Sequence, residues 1–514
     1  MISRRAFLAT SVCAYGLPAL AQEQPPTPQF SDPVPFTSDT PFEMARDLAS
    51  RDYAPRASVP QEWLDMTFDQ YRHFWFNTQR ALWRDETAEV GSQPPLQVDF
   101  FLPGLYFPRG VEIDVVKDGQ ARHVLFDLNL FDRTDEALDL PIDDTLDYSG
   151  FRLRAEIKEL GIHEEFTVFQ GASYFRAIGP DQIYGLSARG LALKTASEMG
   201  EEFPEFTHFW IEEPEDRAEP IILHALLDSP STTGAYRFEI TPMAHATVMQ
   251  VQATLFPRTA LDHAGLASLT SMFLFDETNR HRFNDFRPTV HDSEGLLIHN
   301  GNGEHIWRPL ANPAALQVSA FGDYNPVGFG LMQRSRNFSD YADLEALYHR
   351  RPSLWITPGE NWGPGAVELV EIPADKEIYD NIVAYWRPEQ PIPAGRAYNF
   401  SYRMEWGFGP EQSPDIAQVL NTRMGERVFS DGMLTTVDFE GTEAMQERFE
   451  DFTMVVSANV GEILGAQVQR NPDTDGPRLA FTFDPGEETS VELRAQMYLD
   501  DIPCTEVWLY RWTA

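Results

Sequence analysis

Apolar and polar positions alternate with period two through most of this chain, the pattern of half-buried β-strands. Val98-Asp99-Phe100-Phe101-Leu102 and Val111-Glu112-Ile113-Asp114-Val115-Val116 are β-rich runs, and Lys117-Asp118-Gly119-Gln120 is a turn into Arg122 to Phe126. Tyr236 to Thr241 and Thr247 to Leu255 alternate as the two arms of a hairpin would. The closing run, Thr505 to Trp512, alternates strongly. Short strands with turn signals over several hundred residues predict a mainly all-β protein built on a large β-sandwich.

Helical spacing is confined to short stretches. Phe42 to Arg51 and Pro60 to Phe76 read as two helices, the second placing Trp63, Met66, Tyr71, Phe74 and Phe76 toward a core. Helical interruptions are also expected at Gln182 to Leu191 and at Tyr341 to His349. Arg387-Pro388-Glu389-Gln390-Pro391-Ile392-Pro393-Ala394-Gly395 is the strongest linker signal, because three prolines and a glycine disfavour either regular element. The chain therefore divides into a leader over 1–21, a large β-sandwich over 22–388, a linker over 389–395 and an immunoglobulin-like β-sandwich over 396–514.

The leader assignment rests on Ser3-Arg4-Arg5-Ala6-Phe7-Leu8, which reads as a twin-arginine export signal. A short apolar run follows to Leu20, and Ala19-Leu20-Ala21 offers a cleavage site before Gln22. The run is broken by Gly16 and Pro18, so it is too short for a membrane anchor, and no lipobox surrounds Cys13. The expected location is periplasmic, with no membrane anchor in the mature chain. Cys504 is then the only cysteine, so an internal disulfide is excluded and stability must come from burial.

The formal charge of −39 repels nucleic acid and anionic membranes, while a neutral polymer feels no such long-range penalty. The twelve histidines form no metal-binding spacing, and Walker loops, dinucleotide fingerprints and nucleophile elbows are absent from the sequence, so neither a metal nor a cofactor is expected. Asn300-Gly301-Asn302-Gly303 reads as a tight hairpin turn.

Carboxylate chemistry remains. Glycoside cleavage needs one carboxyl group to protonate the leaving oxygen and a second to activate water or attack carbon. Asp292 lies in Arg287-Pro288-Thr289-Val290-His291-Asp292-Ser293-Glu294-Gly295-Leu296, and Asp380 precedes the apolar run Ile382-Val383-Ala384-Tyr385-Trp386. An acid at the lip of a buried strand is desolvated toward general-acid duty, and Glu377 is close enough in sequence to share its proton. From the residues alone each of these acids reads more readily as a turn residue or an ion-pair partner, since structural acids outnumber catalytic ones. Trp307, Trp355, Trp362 and Trp386, with Tyr324 and Tyr348, are interleaved with Arg308, Arg334 and Asn361. That mixture suits a sugar cleft, and the same tryptophans suit a core.

Several blocks in one order carry a family resemblance. They are Phe286 to Leu296, Asn300 to Glu304, Trp307-Arg308-Pro309-Leu310, Gly328 to Arg334, Arg351-Pro352-Ser353, Val367 to Pro373 and Asp380 to Trp386. In these the chain resembles the periplasmic glucan biosynthesis (OpgG/OpgD, also MdoG/MdoD) family from about Phe30 to Trp512. The resemblance implies a large β-sandwich joined to a smaller immunoglobulin-like one. It implies a role in making osmoregulated periplasmic glucans with a β-1,2-linked backbone, and it favours a homodimer. Some members hydrolyse that backbone internally with inversion; by resemblance Asp380 is the general acid and Asp292 the general base acting through a relay, with Glu377 and Tyr348 near the proton route. His291, Arg287, Trp307, Arg308, Tyr324, Arg334, Trp355, Trp362 and Trp386 are the expected substrate-binding residues. A non-catalytic glucan-binding scaffold and a transglycosylase that branches or cyclises the glucan are the alternatives. Two features depart from the family: Glu294 stands where an Asp is more usual, and Gly407 to Asp431 differs from the loop that closes over the family's cleft.

Overall fold

A computed structural model describes residues 27–85, 87–88, 93–411, 416–429 and 431–514. The predicted export leader lies outside the described residues. Strands dominate and helices are few and short, so the protein is all-β in class.

Two sheets form the larger module. The first runs, neighbour to neighbour, through Gln120–Leu125, Glu112–Lys117, Glu205–Glu212, Ile221–Asp228, Thr232–Pro242, Thr247–Pro257, Tyr398–Gly407, Ser353–Pro358, Gly328–Met332, Gly295–His299 and His305–Pro309. The second is antiparallel throughout: Gln317–Tyr324, Pro364–Glu371, Ile382–Pro388, Ala264–Ser271, Ser187–Arg189, Tyr174–Ala177, Glu164–Gln170, Gly150–Ala155 and Gln97–Phe101. Their facing sides share one core. Phe169 and Phe175 of the second sheet meet Phe238 of the first edge-on at 5.4 Å, the geometry that the charge distribution of aromatic rings favours.

The predicted hairpin is present: Thr232–Pro242 pairs with Thr247–Pro257 in unbroken register. Its inward residues Tyr236, Phe238, Ile240, Met249, Val251 and Ala253 are buried. The predicted turn at Asp118-Gly119 is also present, with both residues at positive φ as a two-residue hairpin loop requires. The first predicted helix forms over Thr40–Ala49.

Elsewhere local spacing misleads. Pro60 to Phe76 breaks into helices Gln61–Leu64 and Phe68–Tyr71, because Thr67 caps the second one in a box with Gln70. Phe74–Phe76 is then a strand on Phe131–Arg133, burying Phe74 and Phe76 and exposing Trp75. Gln182 to Leu191 contains the buried strand Ser187–Arg189 rather than a helix. Tyr341 to His349 holds only the end of helix Phe338–Tyr341 and the start of the 3-10 turn Tyr348–Arg350.

The Pro-rich linker does not divide the modules. Ile392 exchanges backbone hydrogen bonds with Leu261 at 2.9 and 3.1 Å, and the chain then re-enters the first sheet as Tyr398–Gly407, between Thr247–Pro257 and Ser353–Pro358. The smaller module therefore begins after Gly407. In it, Val419–Glu426, Met433–Phe439, Gly476–Phe483 and Ile463–Asn471 form one layer. Phe452–Ala458, Ser490–Leu499 and Val507–Thr513 form the other. Val507–Thr513 also pairs in parallel with His305–Pro309, so the first sheet continues into the smaller module without a gap. The core of that module takes in Trp307, Met332 and Trp355 from the larger one.

Candidate functional site

The two predicted acids meet through a segment that sequence reading did not single out, Ser271-Met272-Phe273. It leaves strand Ala264–Ser271, and the acid-bearing segments hang from its two sides. On one side, Val290–His291 pairs with Phe273–Phe275, and the Asp292 amide donates to the Met272 carbonyl at 2.8 Å. On the other, Ile382 pairs with Ser271, and the Asn381 amide donates to the Ser271 carbonyl at 3.0 Å. The Asn381 side chain accepts from the Phe273 amide at 2.8 Å and donates to the carbonyls of Phe273 and Ile372 at 2.9 and 3.0 Å. A bond of 2.8 Å between the hydroxyls of Ser271 and Ser293 closes the junction. Asp292 and Asp380, far apart in sequence, are thereby held on neighbouring backbone.

Their environments differ. Asp292 is 5% exposed, and one carboxylate oxygen pairs with the Arg351 guanidinium. Burial pushes its carboxyl above the ordinary range; Arg351 pulls it back, and the charge of Asp380 pushes it further up. Asp380 is exposed, so the desolvation expected of it falls on Asp292 instead. The strand that follows Asp380 is buried, but the acid precedes the point at which that strand is covered.

Arg351 is a residue that sequence reading missed, although it opens the Arg351-Pro352-Ser353 block. Its guanidinium lies 4.3 Å over the ring of Tyr348, and its Nε donates to the Ala346 carbonyl at 3.2 Å. It packs against Gly185, where a Cβ would stand 2.9 Å from its own Cβ. Burial raises the Tyr348 hydroxyl; the charge of Arg351 pulls it back, and those of Glu377 and Asp292 push it further up. Arg176, bonded to the Ser187 hydroxyl at 2.6 Å, is a second cation whose field reaches Asp292. Tyr174, beneath Arg189, is within the field of Asp380. Arg351 had a signal in its block, whereas Arg176 and Tyr174 carry none, because their strand is distant from both acids in sequence.

Glu377 is fastened rather than free. Arg287 holds it in an ion pair at 2.6 Å and also binds Asp285 and Asp343, each at 2.8 Å. This clamp joins three loops whose exposed apolar side chains are Phe286, Leu344, Ile378 and Tyr379, the last 51% exposed. His291 is buried; the Gln333 amide donates to the carbonyls of His291 and Tyr348, which leaves its Oε1 to accept from His291 Nδ1 at 2.8 Å. Burial lowers that imidazole to about 4, so it is a neutral packing residue against Phe273.

Most of the other expected binding residues lie in the interior. Trp386 has no exposed surface and packs beside Trp362, whose indole donates to the Ser401 carbonyl at 3.0 Å. Trp307 and Trp355 are buried between the modules. Arg308 pairs with fully buried Glu371 at 3.1 Å. Arg334 stacks 3.7 Å over Trp307 and forms a two-pronged pair with Glu506 at 2.6 and 2.8 Å, across the seam between modules. Glu294 uses its reach structurally: its carboxylate accepts from the amides of Arg334 and Ser335 at 3.1 and 2.9 Å. Of the aromatics expected to bind substrate, Tyr324 is the exposed one, beyond the Gly301 turn that Asp323 binds. The segment from Gly407 leads into hairpin Val419–Glu426/Met433–Phe439 of the smaller module. Among the described residues no group of three or more potential ligands is arranged to hold a metal.

The chain matches the family described as "Periplasmic glucan biosynthesis protein, MdoG" over residues 36–512. A protein of Shewanella sp. (strain ANA-3) named "Glucans biosynthesis protein G" is 46% identical over 489 residues, spanning 94% of this chain and 88% of that one. A protein of the same name from Vibrio cholerae is 45% identical over 502 residues, 96% of this chain and 90% of that one. Among solved structures, a GH36 α-galactosidase from Geobacillus stearothermophilus aligns at 8% identity with a TM-score of 0.25, covering 50% of this chain and 38% of that one. Likeness that weak carries no functional argument.

Proposed function

We propose, for a chain that belongs to the MdoG family of periplasmic glucan biosynthesis proteins, that it cuts the β-1,2-linked glucan backbone internally with inversion at the anomeric carbon. Membership itself gives a role in periplasmic glucan synthesis, and no helix among the described residues is long and apolar enough to cross a membrane. The observation that carries the catalytic reading is the junction at Ser271 to Phe273, which brings Asp292 and Asp380 together in unlike environments.

In this reading Asp380, at the surface, gives its proton to the glycosidic oxygen as the bond to C1 breaks. Water attacks C1 from the opposite face and loses its proton to Asp292, directly or through the Tyr348 hydroxyl. Arg351 favours the anionic form of Asp292 that can take this proton, while burial keeps the carboxylate basic enough to do so. After one turnover Asp380 is a carboxylate and Asp292 an acid, and exchange with solvent restores both. Tyr379, Phe286, Leu344 and Ile378 replace the buried tryptophans as the rings and apolar edges that a sugar chain would meet. Twin-arginine export, expected from the leader, belongs to the same reading.

The test is to incubate the purified protein with linear β-1,2-glucan and follow chain length. Shortening is expected, and it should be lost in Asp380→Asn with glucan binding retained. Undiminished cutting by Asp380→Asn would remove that acid from the mechanism, and absence of shortening from about pH 4 to 8 would leave binding alone. Products lighter by one water would mark cyclisation instead of hydrolysis.

A further inference from the structure

The seam between the modules holds a concavity of about 760 Å³, apart from both acids, within the range of small-ligand sites. One wall is the turn after Phe275, with Glu277, Asn279 and Arg282. The opposite wall is the smaller module's terminal strand and hairpin, with Trp512, Tyr510 and Met424. We propose that this groove is a second saccharide site, which takes a neutral oligosaccharide segment across the seam; the ligand class rests on the glucan reading above.

The chemistry of the wall supports a sugar over other ligands. Trp512 is half-buried, and Phe483 braces its ring edge-on at 5.9 Å, so one aromatic platform is fixed without being covered. Glu277 and Arg282 line the same groove. Glu277 is held at 3.4 Å by both Asn421 and Arg423, and Arg282 is held by a 2.5 Å bond to the Asn312 carbonyl. A carboxylate and a guanidinium lining the groove can bond sugar hydroxyls while the ring takes the apolar sugar face. The mixed charge of the wall, in a strongly acidic chain, gives no preference for a phosphate.

The groove is also joined to the acid pair. Arg280, next to the groove, donates to the carbonyls of Arg287 and Asp285 at 3.2 and 3.3 Å, and Arg287 clamps Glu377. One turn therefore lines the groove at its start and the rim of the acid pair at its end. A polymer held at both places would be retained between cuts.

The experiment uses full-length Asp380→Asn protein with fluorine-labelled tryptophan, so that the ligand is not cleaved. The Trp512 resonance is assigned with Trp512→Phe. Linear β-1,2-linked gluco-oligosaccharide is added, and β-1,4-linked and α-1,4-linked gluco-oligosaccharides in parallel. The expected result is a saturable shift of the Trp512 resonance by the β-1,2-linked probe. Trp512→Ala should weaken one class of sites about tenfold, about 1.4 kcal/mol, while leaving the other. If the β-1,2-linked probe perturbs other signals and leaves Trp512 unmoved, the groove proposal fails and the glucan reading stands. If only another linkage moves Trp512, the groove is not a site for this glucan and the proposal fails. If no saccharide perturbs any signal, the groove proposal fails, and the glucan reading is decided by the chain-shortening assay, since no tryptophan is exposed among the side chains named at the acid pair.

Discussion

Removing Arg351 is the most informative single perturbation, because two opposing effects on Asp292 then come apart. The pair is largely buried, Asp292 at 7% and Arg351 at 19% side-chain exposure. In Arg351→Met the methylenes are roughly conserved and the charge is lost. An ionised Asp292 is then buried without a partner, which costs about 3–5 kcal/mol. A protonated Asp292 bears no such cost, leaving only the lost stacking on Tyr348, about 1 kcal/mol. The sign follows from the native carboxyl, which burial raises above its unfolded value. Stability from that raised group is present below the unfolded value and is lost as pH rises through the folded one. Without Arg351 the folded value rises further and the loss grows. Urea unfolding at pH 5 and pH 8 should therefore show a penalty larger at pH 8 by about 2–4 kcal/mol. Adding Asp292→Asn should restore most of what is lost at pH 8, because the buried charge is gone. Chain-shortening activity in Arg351→Met should lose its acidic limb, since a base that protonates more readily is unavailable at low pH. Equal penalties at the two pH values, or no recovery in the double variant, would refute the buried-anion account.

Asn381→Ala should remove three hydrogen bonds at the Ser271–Phe273 junction, costing about 2–4 kcal/mol in unfolding experiments. Because the junction aligns the acids, kcat in that variant should fall much more than KM changes. Trp386→Ala should destabilise by about 3–5 kcal/mol as a core truncation, whereas Tyr379→Ala should leave the melting temperature unchanged and raise KM for glucan. Reversal of that pair would return Trp386 to the binding surface. Glu506→Gln should weaken the seam, since Arg334 loses a charged partner at 2.6 Å; limited proteolysis between the modules should accelerate while the larger module's melting is retained.

How much of this was legible before folding depends on the range of the signal. The hairpin from Thr232 to Pro257 was readable because period-two alternation is local and both arms bury one face. The Pro60 to Phe76 helix failed because its apolar spacing fits more than one backbone, and the Thr67 cap decides between them. The linker failed for a related reason: Pro-rich sequence reports that no regular element forms there, and is silent on which sheet takes the next strand. The tryptophans failed because a ring that can stack on a sugar is equally suited to a core, and burial is set by strands far away in sequence.

By itself the sequence determined the β class, through alternation, and the family, through several blocks in one order. It also offered Asp292 and Asp380 as candidate acids, and their separate roles came by resemblance. Tertiary structure alone decided that the two acids hang from one three-residue segment, that Asp292 rather than Asp380 is desolvated, and that Arg351 is its partner. It also decided that the smaller module starts after Gly407. The physical reason is common to all of these. Periodicity fixes which side of a strand is apolar, but which strands become neighbours depends on the pairing of both sheets at once, and charge environments exist only after that pairing.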